Sequence, residues 1–129
     1  MQIKITAIPV DDQDKALDFY TNKLGFTKKA DMHIGPLRWL TVSSPEGPEG
    51  AELVLQTMDF PPSRIYQKAR FDAGIPAVAF ISSDVHAEYS RLKERGVKFR
   101  GAPQNMGPIT AVVFEDGCGN LVNLVQPAA

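Results

Sequence analysis

Few side chains in this sequence have the type and setting for chemistry. Glu52, in "AELVLQ", puts a carboxylate at the head of an apolar, strand-like run. There it could act as a general base, or it could be a solvated strand-edge acid after "PEGPEG", since a one-residue slip in register turns a strand side chain to the other face. Asn123, in "GNLVNLVQ", sits between Val122 and Leu124 and shares a face with Leu121 and Val125 if side chains alternate. A buried amide without partners costs about 1–3 kcal/mol. Asn123 is therefore either tied to neighbouring backbone or facing a cavity, where it could orient a ligand. His86, between Val85 and Ala87, reads as a surface residue early in a helix. His33, in "ADMHIGP", is expected in a turn before a strand, either solvated or paired with Glu52 as a His/Glu metal pair. Cys118, in "EDGCGN", has no base or positive field in its sequence neighbourhood and reads as a small hairpin residue rather than a nucleophile. There is no Ser-His-Asp set, phosphate-binding glycine loop or Cys-x-x-Cys motif.

A second group of residues could shape an apolar ligand site. Trp39, the single tryptophan, could be a pocket wall, part of a dimer seam or plain core. Arg38 alternates with it and would face the other way, where it could pair with an anionic group; a surface arginine is the better default. Phe71, Phe99, Met32 and Met106 flank the predicted strands and could roof a pocket, since Met and Phe suit adaptable apolar sites; core filling is their commoner use.

The bulk composition removes several function classes. The 129 residues suggest one compact domain, or two small halves sharing a core, and 43% hydrophobic with 22% charged residues is ordinary for a soluble globular protein. A formal net charge of −1, with basic residues scattered, argues against nucleic acid or an anionic membrane as partner. No apolar run approaches the roughly 18 residues of a membrane span, and "MQIKITAIPV" lacks a signal-type apolar core. A single cysteine allows no internal disulfide, so a reducing, cytoplasmic setting is expected.

The elements that must position these residues come in two copies. "GPLRWLTV" begins at Gly35 and "GPITAVVF" at Gly107, 72 positions later; Asp12 and Asp84, with the same offset, each open an amphipathic helix. Ala16, Leu17, Phe19, Tyr20 and Leu24 recur at helical spacing in the first, with Gly25 just past its end. Val85, Tyr89, Leu92 and Val97 do so in the second, capped by Ser83 or Asp84 and stopped at Gly96. An apolar strand precedes each helix (3–10 and 76–82), a short strand follows each ("FTKKADM" and "VKFRGAP"), and each half ends in a strand with a late glutamine. The fold expected is therefore α+β, two tandem β-α-β-β-β modules forming a curved mixed sheet around a cleft. Module one covers about 1–58, a connecting arm or short helix about 59–74, and module two about 75–129.

"DKALDFYTNKLGF", "RWLTVSSPEG" and "FEDGCGNLVNL", set in this repeat, resemble the vicinal oxygen chelate superfamily, which includes glyoxalases, bleomycin-resistance proteins and extradiol dioxygenases. The resemblance covers nearly the whole chain and points to a glyoxalase-like branch without an established reaction. It implies a U-shaped sheet, a homodimer and a pocket in each cup, where metal-dependent members bind a divalent ion through His or Glu on the first and last strands of each module. The corresponding positions here are Ile5, Ala77, Asn123 and, at or next to it, Glu52. Only Glu52 is a strong donor, whereas Zn²⁺ or Ni²⁺ sites want three or four N, S or carboxylate donors. The resemblance thus implies a degenerate metal site, with no cofactor predicted and a divalent metal disfavoured. The expected function is binding of a small, partly apolar molecule in a cleft lined by Trp39, Asn123, Phe71, Met106 and Glu52. The alternatives are a lyase, isomerase or dioxygenase using Glu52 as base or a rearranged metal site, and a dimeric interaction module.

Overall fold

The first unit of the computed structural model, which describes residues 1–128, runs to Arg64 and opens with β1 (Ile5–Pro9). Asp12 caps α1 (Gln13–Asp18), its carboxylate accepting from the Lys15 amide at 3.0 Å. The helix then widens. Phe19–Lys23 form a π turn in which the Leu24 amide donates to the Phe19 carbonyl at 3.2 Å, and Thr21 Oγ1 donates back to the Leu17 carbonyl at 2.6 Å. This turn carries Tyr20, fully buried, against the rings of Phe19 and Phe26. Gly25 ends it at φ 82°, the left-handed conformation expected past a helix end.

Strands β2 (Thr27–Ile34), β3 (Leu37–Ser43) and β4 (Glu52–Gln56) complete the unit in the spatial order β1-β4-β3-β2. The β1–β4 pair is parallel and the other two are antiparallel. The two-residue period sorts side chains to two faces. Ile8, Leu40, Val42, Leu53 and Leu55 are buried on the face that α1 covers. Gln13 fastens the helix there, donating to the carbonyls of Arg38 and Leu55 at 3.0 and 2.9 Å.

Helix α2 (Pro61–Asp72) carries the chain into the second unit, residues 65 onward, and two prolines open it where their missing N–H costs nothing. The stretch expected as an arm or short helix is thus a helix, and none of its residues is buried. The second unit repeats the plan with β5 (Val78–Ile81), α3 (Val85–Glu94), β6 (Lys98–Phe99), β7 (Gln104–Asn105), β8 (Ile109–Glu115) and β9 (Leu121–Pro127). Its order is β5-β9-β8-β6, with β7 also on β8. Asp84 caps α3, accepting from the Ala87 amide at 3.1 Å. Of the expected strand "VKFRGAP" only β6 forms; Gly101, at φ 108°, and Pro103, without an N–H, interrupt the ladder, and the chain returns to β8 just beyond it as β7. The architecture is the expected α+β pair of β-α-β-β-β modules, built as two mixed sheets. No helix among the described residues is long and apolar enough to cross a membrane.

Candidate functional site

In each unit the helix covers one sheet face and leaves the other without it. In the first unit that free face carries Ile5 and Ala7 from β1, Glu52 and Val54 from β4, Trp39 and Thr41 from β3, and Ala30 and Met32 from β2. Ile5 lies directly beside Glu52, and Trp39 beside Met32. Much of this face is apolar yet open: Ile5, Met32, Ile34 and Leu37 are exposed and Trp39 is half-buried. Glu52, also half-buried, is anchored. The fully buried Thr41 donates its hydroxyl to Glu52 Oε1 at 2.6 Å and accepts from the Ala30 amide at 3.1 Å. Glu52 Oε2 has no hydrogen-bond partner among the described residues, so the carboxylate presents one held and one free oxygen.

The free face of the second unit is organised around Asn123. Its register neighbours are Ala79 on β5 and Val113 on β8, and one strand further the Arg100 amide donates to the Val113 carbonyl at 2.8 Å. Leu121 and Val125 flank Asn123 on the same face and are buried, while Asn123 is half-buried and its carboxamide has no hydrogen bond among the described residues. The alternative of a core amide tied to backbone is therefore not what forms. The C-terminal end of α2 approaches this side, with the Arg100 guanidinium over the Phe71 ring at 4.9 Å from its centroid.

The turn before β9 fixes where Asn123 stands. Asp116, fully buried, accepts from the amides of Cys118 and Asn120 at 2.7 and 3.0 Å, and its other oxygen accepts from Asn120 Nδ2 at 2.8 Å. Gln67 of α2 donates to the Cys118 carbonyl at 3.0 Å and to Asn120 Oδ1 at 3.2 Å. Gly119 is required here: its φ is 94°, and a Cβ would lie 2.6 Å from Gln67 Oε1. Cys118 is buried within this turn, in keeping with its reading as a packing residue.

Several expectations change on this geometry. His33 is not in a turn but in β2, beside Arg38 on the α1 side, so it and Glu52 lie on opposite sheet faces and cannot share an ion. Arg38 is no free surface arginine. Its guanidinium holds Asp31 through two bonds at 2.9 and 3.0 Å and Asp14 of α1 at 2.7 Å. Those bonds raise the Arg38 pKa and hold the Asp31 carboxyl down at about 2. Of the two readings of Phe99, core filling is the one that forms: it packs between Tyr89 and Phe114, ring centroids 4.6 and 5.6 Å away, on the α3 side. Met106 is exposed at the β7–β8 turn. The structure brings Glu52 and Trp39 to one face, and Asn123 and Phe71 to another. Sequence reasoning missed Thr41 and Arg100: two-residue alternation could have found Thr41, two positions after Trp39 in "RWLTV", whereas Arg100, just past the two-residue β6, gives no such signal.

The family model of the glyoxalase/bleomycin resistance protein/dioxygenase superfamily matches residues 2–124. The chain belongs to this superfamily. Among proteins similar to this superfamily member, YurT of Bacillus subtilis (strain 168), itself uncharacterized, is 49% identical over 98% of this chain and 99% of its own length. Two crystal structures share the fold closely. UcmS2 superimposes with a TM-score of 0.85 at 35% identity, covering 97% of each chain. TnmS3, an antibiotic binding protein from Streptomyces sp. CB03234, gives 0.79 at 32% identity, covering 99% of this chain and 97% of its own.

For a member of this superfamily the donor set for a divalent ion can be tested directly. Beside Glu52 stands Ile5, which cannot ligate. Beside Asn123 stands Ala79 rather than the expected Ala77, and neither alanine offers a donor. One carboxylate oxygen of Glu52 is already engaged by Thr41. Among the described residues no three His, Cys, Asp or Glu side chains come together as a metal site. These residues do not fit a three- or four-donor ion site.

Proposed function

We propose that this protein binds a small, partly apolar molecule on the helix-free faces of its sheets, with no resident metal, and acts as a carrier or sequestering protein. The observation that carries this reading is Asn123, a half-buried carboxamide with no hydrogen bond among the described residues, on an otherwise apolar strand face. No buried side-chain polar atom among the described residues lacks a partner, so this amide is open to water and offers a ligand both a donor and an acceptor on an apolar face. The open apolar side chains of Ile5, Met32 and Ile81 beside it or on the other free face support an apolar occupant. The similarity to TnmS3 supports the same class of ligand. Trp39 and Phe71 are assigned to the walls of such sites and Asn123 to orienting the ligand. We further assign a homodimer, and a cytoplasmic setting consistent with a single buried cysteine that makes no disulfide.

A titration of ¹⁵N-labelled protein with the neutral aromatic 2-naphthamide tests the reading. Saturable shifts at Ala79, Val113 and Asn123 are expected; no shift at millimolar probe would sink it. Elemental mass spectrometry of untagged protein is expected to give metal far below one ion per chain, and stoichiometric Zn, Ni, Mn or Fe would overturn the metal-free assignment. Sedimentation should show a dimer.

One observation favours a second reading, an enzyme with Glu52 as base. A carboxylate with one oxygen anchored by Thr41 and the other free is positioned to accept a proton from a bound substrate. Turnover of any substrate that is abolished in Glu52→Gln, with binding retained, would select it over simple binding.

A further inference from the structure

We propose that the free face of the second unit selects ligands bearing an acidic oxygen group, a carboxylate or phenolate, through Arg100; this rests on the binding reading above. The two arginines on the sheets make the contrast. Arg38 spends its Nε, Nη1 and Nη2 on Asp31 and Asp14. Arg100 commits only Nε, to Glu115 Oε2 at a long 3.4 Å, and its two Nη groups have no partner among the described residues. Its position is nevertheless held, because the guanidinium lies over the Phe71 ring, 4.9 Å from the centroid. A guanidinium fixed by ring and carboxylate, with its terminal edge free, is arranged for bidentate contact with a planar anion.

The neighbouring charges agree. Glu115 is shared with Lys98, whose Nζ lies 3.5 Å away, so two cations surround one carboxylate and the patch keeps a positive excess. The floor beyond it is apolar. Arg100, Val113, Asn123 and Ala79 follow one another across four strands. Strands stand about 4.8 Å apart, so the backbones of Arg100 and Asn123 are about 10 Å apart. An aromatic acid laid across Val113 would place its anion at Arg100 and its ring system toward the Asn123 amide. Neutral molecules would gain only the apolar floor and the amide.

The test compares 2-naphthoate with 2-naphthamide, equal in shape and different in charge, by ¹⁵N shift titration of the full chain. The wild-type protein should bind the acid about tenfold more tightly or better. Arg100→Gln should bind both equally, keep its affinity for the amide and retain a native spectrum. Lys98→Gln should keep the preference within about twofold, since a rim charge acts weakly. Equal binding of the two probes by the wild type, or a preference that survives Arg100→Gln or vanishes in Lys98→Gln, would overturn the assignment to Arg100. Binding of neither probe would overturn the binding reading itself, and this inference with it.

Discussion

The last hairpin of each unit joins the same two strands of the same plan, yet the two are built in opposite ways. In the first, residues 44–51 make a long exposed connection whose side-chain support is Ser44 Oγ, accepting from the Glu46 amide at 3.3 Å. In the second, a five-residue turn closes over Asp116, which is buried and accepts from three N–H donors. The strand that follows reflects the difference. Glu52 emerges from the loose connection and is steadied by Thr41, its neighbour across the sheet. Asn123 emerges from the rigid one and needs no side-chain tether. The unit with the weak turn positions its polar group by a side chain, and the unit with the strong turn does so through the backbone.

The largest effect should come from removing the strong turn. Asp116→Ala removes the carboxylate that accepts from three N–H donors, each such bond worth about 1–3 kcal/mol, so a loss of about 3 kcal/mol or more is expected in urea denaturation. Ser44→Ala in the exposed connection should change stability by less than about 0.5 kcal/mol. Similar losses from the two would erase the contrast. Next in size is the side-chain tether. Thr41→Val keeps the shape but removes the donor to Glu52 and the acceptor for the Ala30 amide, and should cost about 1–3 kcal/mol. Glu52→Gln retains an acceptor for Thr41 and should cost less than about 1 kcal/mol. Smaller still, Asn123→Leu breaks no hydrogen bond within the described residues and should lie within about 1 kcal/mol of wild type while losing affinity for 2-naphthamide. A destabilisation above about 2 kcal/mol would place Asn123 in a polar network after all.

The sequence carried the fold further than it carried the site, and the reason is physical. Helix caps are local: Asp12 and Asp84 bind amides three residues away, so spacing along the chain is enough to find them. The paired modules follow from period and repeat, which are also local. Glu52 and Asn123 were found because a polar side chain in an apolar strand breaks its own pattern. Arg100 breaks no pattern, since an arginine after a two-residue strand is unremarkable until Phe71, 29 positions earlier, is seen beneath its guanidinium. His33 was misplaced for a related reason. The face it occupies depends on strand register and on where β2 ends, and neither is written in residue type alone.

The saturated arginine of the first unit offers the most delicate measurement. Arg38 holds the Asp31 carboxyl at about 2, below its ordinary 3.8. A carboxyl whose folded pKa is depressed contributes stability that is fully present above 3.8 and is lost as pH falls through about 2. Urea midpoints taken between pH 5 and pH 2 should therefore fall toward the acid end, and Asp31→Asn should remove part of that slope while leaving the neutral-pH spectrum native. Because Asp31 lies at a solvent-accessible edge, the change should be a modest shift in midpoint rather than acid unfolding. Arg100→Gln leaves the Arg38 cluster intact and should keep the part of the slope that Asp31→Asn removes. If Asp31→Asn and wild type titrate alike, the Arg38 cluster is no firmer than an ordinary surface pair, and the division between a committed and an available arginine would have to rest on the ligand measurements alone.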